Sequence, residues 1–114
     1  MAMADDRPVL IMVTSRTRDE AERLGEELVT NHLAACGSVI PTIHSFYYWE
    51  GRLQREHEAL LLIKTTASAA AAVQAYVLGH SSNQLPEVIQ LPIEGGSPAY
   101  LAWINEQVGS SDAH

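Results

Sequence analysis

The stretch that most constrains this chain is LAACGSVIPTIHSFYYWEG, residues 33–51. From position 34 it is β-branched, aromatic and alternating. It breaks at Glu50-Gly51 and resumes over 53–65, the pattern of two strands joined by a short loop. Read as one strand, the 16 residues of 34–49 span roughly 53 Å at about 3.3 Å each. A compact domain of this length has a diameter of roughly 35 Å. A hairpin of that length overhangs its own domain, and its tip carries Phe46, Tyr47, Tyr48 and Trp49. Exposed strand edges and a large apolar surface call for a partner, most simply a second copy, with these four aromatics at the subunit interface. The run Leu60-Leu61-Leu62-Ile63 points the same way, because it is apolar on both faces of a strand. The competing reading is that Gly37 or Pro41 breaks the strand and the aromatics fold back as local core.

The other elements fall in order around this hairpin. Val9-Leu10-Ile11-Met12-Val13 suits a buried strand. Thr17-Arg18-Asp19-Glu20 fits a capping box opening a helix with Ala21, Leu24, Leu28 and Val29 on one stripe. A second helix is expected over 67–78, with Gly79 as its C-cap glycine. A short strand over 88–91 is flanked by Pro86 and Pro92, and Ser97-Pro98 opens a last helix running to Val108. The order is β-α-β-β-α-β plus a C-terminal helix, an α+β ferredoxin-like split βαβ with a four-stranded antiparallel sheet. With 114 residues and no linker, the chain reads as one domain over 1–114, ordered over about 8–108, with flexible tails at 1–7 and 109–114.

Composition narrows the function classes. Hydrophobic residues make up 46% and charged residues 18%, as in a folded chain. A net charge of −7 with no cluster of Lys and Arg argues against nucleic-acid or anionic-membrane partners. The single cysteine, the lack of a signal-like start and the lack of an apolar stretch of roughly 20 residues lead to an expected cytoplasmic location. No G-x-S-x-G, H-E-x-x-H, Cys-x-x-Cys or Walker loop occurs, so no catalytic residue is assigned and the chain is not expected to be an enzyme.

Several residues are candidates for binding. If Glu50-Gly51 is a two-residue loop, His44 lies directly opposite His57, with Cβ atoms about 5 Å apart and within reach of one metal ion. A three-residue loop puts His57 opposite Ile43 instead and dissolves the pair; with both registers open and no third ligand identified, two exposed histidines are the favoured reading over a metal pair. His80 follows a helix C-terminus, as a ligand or as a helix-end cation. Cys36 is a soft copper ligand, a reactive thiol or, as its Ala-rich apolar setting favours, a small buried hydrophobe. Glu58 and Lys64 are six apart on one strand and share a face, to meet a ligand in a cleft or to form an ion pair at an interface.

These residues also carry a family resemblance. Leu33-Ala34-Ala35-Cys36, Pro41, Ser45-Phe46-Tyr47-Tyr48-Trp49-Glu50-Gly51, Glu58, Ile63-Lys64-Thr65, Pro86-Glu87, Leu91-Pro92 and Pro98-Ala99-Tyr100-Leu101-Ala102-Trp103 resemble the signature of the CutA divalent-cation tolerance proteins over about residues 8–108. The resemblance implies a homotrimer of ferredoxin-like subunits locked by long hairpins, similar in architecture to nitrogen-regulatory signalling trimers. It implies clefts between subunits, where Cys36, Trp49, Glu58, Lys64 and Glu87 are the candidates, and an association with Cu(II) or another divalent cation. The copper ligands it implies are a thiol near the end of the first strand and a histidine pair in the loop before the fourth. Here those positions are Val13, His80 and Ser81, because the chain has His80-Ser81-Ser82-Asn83 where the family commonly has a His-Pro-Tyr run.

The expectation is a cytoplasmic homotrimer that binds a divalent cation or small ligand in intersubunit clefts and acts in tolerance or signalling. The alternative is a structural or adaptor trimer that binds a protein partner, with metal incidental. A third, a small hydrolase, needs a nucleophile and base near Glu58, Lys64 and Glu87.

Overall fold

The computed structural model describes residues 6–109. Its elements are β1 (Pro8–Ser15), α1 (Arg18–Thr30), β2 (Cys36–Trp49), β3 (Arg52–Thr66), α2 (Ala70–His80), β4 (Val88–Pro92) and α3 (Pro98–Gln107). The sheet order is β2-β3-β1-β4 and every pairing is antiparallel, the split βαβ arrangement expected from the element order. No helix among the described residues is long and apolar enough to cross a membrane.

Alternation along the strands decides which side chains are covered. Ile11, Val13, Leu61 and Ile63 lie on one face and are fully buried against Leu24 and Leu28 of α1 and Val73 and Val77 of α2. Each such Leu or Ile stabilises the fold by about 1.5–3 kcal/mol. α1 comes close to the sheet at a pair of glycines: a Cβ on Gly37 would stand 3.4 Å from Gly25 Cα, and one on Gly25 would stand 3.1 Å from Leu61 Cδ1. A side chain at Gly25 would press the Leu61 methyl aside by a few tenths of an ångström, and one at Gly37 would close against the backbone of α1. The opposite face carries Leu10, Met12, Leu60 and Leu62, half-buried, and Ile40, Ile89 and Leu91, exposed. A second apolar face left incompletely covered is what the run 60–63 led one to expect.

The hairpin is a single long pair. β2 starts at Cys36 rather than at position 34, and it is not cut into two strands. Its ladder runs Ile40↔Leu60 and then Ile43↔Glu58, so Pro41 and Thr42 together oppose Ala59 in a β-bulge. Proline has no N–H to give to the ladder, which accounts for the irregularity at this position. The aromatics do not fold back: Phe46 is 63% and Tyr48 74% exposed. The molecule is accordingly elongated, 50 × 27 × 21 Å, with a radius of gyration of 15.0 Å against about 13 Å for a compact chain of this size.

Other boundaries differ from expectation. Gly79 is not a left-handed C-cap; α2 runs through it to His80, and Ser81 ends the helix in extended backbone. One glycine costs a helix only about 1 kcal/mol, which packing of Val73 and Val77 outweighs. α2 also begins at Ala70, after a turn over 67–69. α3 stops at Gln107 with Val108 as its cap. Val29 is exposed rather than on the buried stripe of α1. The end of α1 is closed by His32 in the left-handed region (φ 60), while its ring Nδ1 lies 3.2 Å from the Gln107 carbonyl and its own carbonyl accepts from Gly109 N.

Of the expected tails, 1–5 and 110–114 lie outside the described residues. Arg7 accepts from Ala67 N through its carbonyl, and Asp6 accepts from Ser68 N and Oγ. Partial burial pushes the Asp6 carboxyl up, but hydrogen bonds from Ser68 and Thr66 outweigh it and hold it below its ordinary value.

Candidate functional site

Where the hairpin leaves the body of the domain, a groove of about 800 Å³ opens between it, the end of β1 and the segment before β4. Its shape follows from two sets of local constraints.

The first is the turn. Glu50 (φ 53) and Gly51 (φ 79) both adopt left-handed backbone, as a two-residue hairpin turn with the right twist requires. That turn pairs Trp49 with Arg52 and sets every partner below it: Tyr47↔Gln54, Ser45↔Glu56 and Ile43↔Glu58. Direct partners share a face, so Trp49, Tyr47, Ser45, Glu56 and Glu58 all look into the groove.

The second is the segment 81–87, pinned by hydrogen bonds from remote elements. The Thr17 side chain caps α1 by accepting from Glu20 N at 3.1 Å, as the capping box predicts. The return half of the box is absent: the buried Glu20 carboxylate accepts from Ser82 N at 2.7 Å and Ser82 Oγ at 2.9 Å. Asn83 donates its Nδ2 to the Thr14 carbonyl at 3.3 Å and its N to Ser81 Oγ at 3.1 Å, and Thr14 N donates to the Glu87 carbonyl. These contacts bring Asn83, Gln84, Leu85 and Glu87 to the groove wall opposite the hairpin.

The groove therefore holds three carboxylates, Glu56, Glu58 and Glu87, against one guanidinium, Arg16. Tyr47 registers the local field: desolvation, then the negative charges of Glu56 and Glu58, push its hydroxyl above the usual tyrosine pKa, with Arg16 acting weakly the other way. Carboxylates beside aromatic walls favour a cation over an anion. Among the described residues, however, no three or more His, Cys, Asp or Glu side chains are grouped so as to hold a metal ion.

The residues singled out from the sequence separate into distinct places. Trp49, Glu58 and Glu87 line the groove, together with Phe46, Tyr47 and Tyr48. Cys36 and Lys64 are cross-strand partners at the other end of the hairpin, six residues or about 20 Å from Glu58. One chain does not bring all five to one cleft. Cys36 is half-buried, its Sγ 3.9 Å from Ser38 Oγ. His80 stacks on Tyr76 (centroids 4.0 Å apart, 13° between planes) and donates Nδ1–H to the Tyr76 carbonyl at 2.8 Å, which suits a helix-end group. The Tyr76 hydroxyl in turn donates to Glu27, a bond that raises its pKa together with desolvation and the Glu27 charge.

The copper ligand set implied by the resemblance does not fit these residues. Val13 has no donor atom and is fully buried in the core, and Ser81 Oγ is occupied as an acceptor of Asn83 N. His44 and His57, by contrast, are direct cross-strand partners, as the two-residue loop predicts. Arg16, Glu56, Asn83 and Gln84 were missed from the sequence. Only Glu56 carried a usable signal, since it lies two residues from Glu58 and so shares its face.

Comparison with known proteins agrees with the fold. The family model described as CutA1 divalent ion tolerance protein matches residues 9–107. Protein CutA 1, chloroplastic, of Oryza sativa subsp. japonica is 37% identical over 103 residues, 90% of this chain and 58% of that protein. The divalent-cation tolerance protein CutA of Escherichia coli O139:H28 is 36% identical over 97 residues, 85% of this chain and 87% of that one. The crystal structure of CutA from Xylella fastidiosa is similar with a TM-score of 0.87 at 34% identity, covering 90% of this chain and 98% of that one. The chain spans little more than half the length of the plant relatives it matches, 58% of the rice protein and 53% of the Arabidopsis thaliana one.

Proposed function

The chain belongs to the CutA1 divalent ion tolerance protein family, and from that premise we propose that it works as a homotrimer binding a divalent cation or small cationic ligand in clefts between subunits. In this reading it is a cytoplasmic binding protein with a tolerance or signalling role rather than a catalyst. The observation that carries it is the overhang: a hairpin whose aromatic tip stays exposed projects past a carboxylate-rich groove, beside a sheet face with exposed Ile40, Ile89 and Leu91. A single chain leaves all of that surface in water, and burial against further copies removes the cost. A groove closed by a neighbour's hairpin becomes a cleft in which Glu56, Glu58 and Glu87 attract cations. With no ready-made cage for a bare ion among the described residues, binding there is weak and largely through water.

Light scattering on the eluting protein tests the assembly, with three times the 12.5 kDa chain mass expected. Calorimetric titration with Cu(II), Zn(II) and Mg(II), repeated on the Glu58→Gln/Glu87→Gln double variant, tests the cleft. Loss of a weak binding phase in the double variant supports the reading. A trimer whose cation binding is unchanged by both substitutions sinks it, and leaves the adaptor trimer as the function to pursue.

A further inference from the structure

We infer that His44 and His57 form a two-histidine chelating site for a borderline transition-metal ion, Cu(II) in preference to Zn(II) or Ni(II), on the face of the hairpin turned away from the groove. The two residues are direct partners in the β2–β3 ladder, and their rings stand with centroids 4.3 Å apart at 53°. Pleat alternation puts them on the opposite face from their neighbours Ile43 and Glu58, and neither lines the groove.

Three observations make this more than two histidines side by side. The register does not depend on the side chains: it is set by the turn at Glu50 and Gly51 on one side and by the bulge at Pro41 and Thr42 on the other. Both residues are exposed in the single chain, and neither imidazole has a hydrogen-bond partner among the described residues, so their ring nitrogens are open to a ligand there. The next paired positions of the ladder two residues toward the tip are Phe46, which also borders the groove, and Arg55, which is drawn over the Phe46 ring, its Cζ 5.8 Å from the centroid.

Two imidazoles bound to one ion place their nitrogens about 3 Å apart at metal–nitrogen distances of about 2.0–2.1 Å, a separation that rings at this spacing meet by rotating about χ2. Holding both on one ladder makes the second bond intramolecular and strengthens binding by about 100-fold over one imidazole. Since no third protein ligand is grouped with the pair among the described residues, water completes the coordination, which suits Cu(II) rather than a closed structural zinc site. Nitrogen donors give Mg(II) and Ca(II) nothing to bind.

The test is Cu(II) titration of tag-free trimer by calorimetry and electron paramagnetic resonance, at a pH above the usual imidazole value of about 6.5. The site predicts about one Cu(II) per chain with coupling to two nitrogens, an affinity about 100-fold lower with coupling to a single nitrogen in His44→Ala and in His57→Ala, and loss of that remaining one-imidazole binding in the double variant. His57→Phe keeps an aromatic ring against His44 without its nitrogens, so a folded His57→Phe trimer that has lost the copper signal rules out collapse of the hairpin as the cause. Glu58→Gln/Glu87→Gln leaves this site intact whether or not the groove binds cations, which separates the two readings. Copper binding of undiminished affinity in His44→Ala and His57→Ala overturns the assignment. So does nitrogen coupling that disappears in His80→Ala alone.

Discussion

The two ends of the β2–β3 hairpin are built from the same strands with the same alternation, yet they meet different surroundings. At the base, Leu61 and Ile63 point into helices α1 and α2 and are fully buried. At the tip, Phe46, Tyr48 and Leu53 are 63%, 74% and 48% exposed, because no helix reaches that far. Pattern alone marks both as core. The difference teaches that an apolar β face is covered only where the same chain's helices reach it: the base of the hairpin is buried by its own chain, while the tip is left exposed by it.

The sharpest way to break the comparison is to truncate one residue at each end. Leu61→Ala leaves a cavity under α1 and α2 and is expected to cost about 2–5 kcal/mol, seen as a loss of urea stability in any assembly state. Phe46→Ser removes a larger side chain but is expected to act through assembly, shifting light-scattering mass toward the single chain as the protein is diluted. Equal, dilution-independent losses for the two would mean that the tip is packed by its own chain after all.

Glu20→Ala probes the wall facing the hairpin. It leaves Ser82 N–H and its hydroxyl without their acceptor, at an expected cost of about 1–3 kcal/mol. Amide exchange should rise locally over 81–87 while the hairpin stays protected; unchanged exchange there would mean that the segment is held by something other than Glu20.

Gly51→Ala acts on the turn. Nothing lies within 4 Å of the added Cβ, so the penalty is the left-handed backbone itself, about 1–2 kcal/mol. A wild-type melting curve for this variant would mean the turn does not set the register.

The smallest effect is electrostatic. The Tyr47 hydroxyl is held above the usual value of 10.0, so its contribution to stability is present below that pH and is lost as pH rises through the folded-state pKa. Glu58→Gln should move the ultraviolet titration of this tyrosine down, toward the ordinary value. A cation bound in the groove should do the same. No movement in either case would mean that the groove field does not come from these carboxylates.

Much of the fold was legible from the chain. The hairpin itself was legible, but its register was open between a two-residue and a three-residue loop; the turn at Glu50-Gly51 selects the first and brings His44 opposite His57, because strand pairing propagates from the turn one residue at a time. The end of α2 was not legible: Ala-rich sequence has high helix propensity throughout, so Gly79 could not mark a boundary that packing moved to His80. The bulge at Pro41 was visible as an interruption, but only the ladder shows that it absorbs one residue and leaves the strand whole.

What the sequence by itself determined was element order, the hairpin and the division of each strand into two faces, all consequences of short-range sterics and side-chain periodicity. The tertiary structure alone decided which carboxylates share a groove. Glu20 reaches Ser82 across 62 positions and Asn83 reaches Thr14 across 69, and those bonds carry Glu87 to the wall facing Glu58 while Lys64 stays at the far end of the same strand. No local pattern encodes a hydrogen bond between such distant residues, since its partners are chosen only once the sheet and helices have packed.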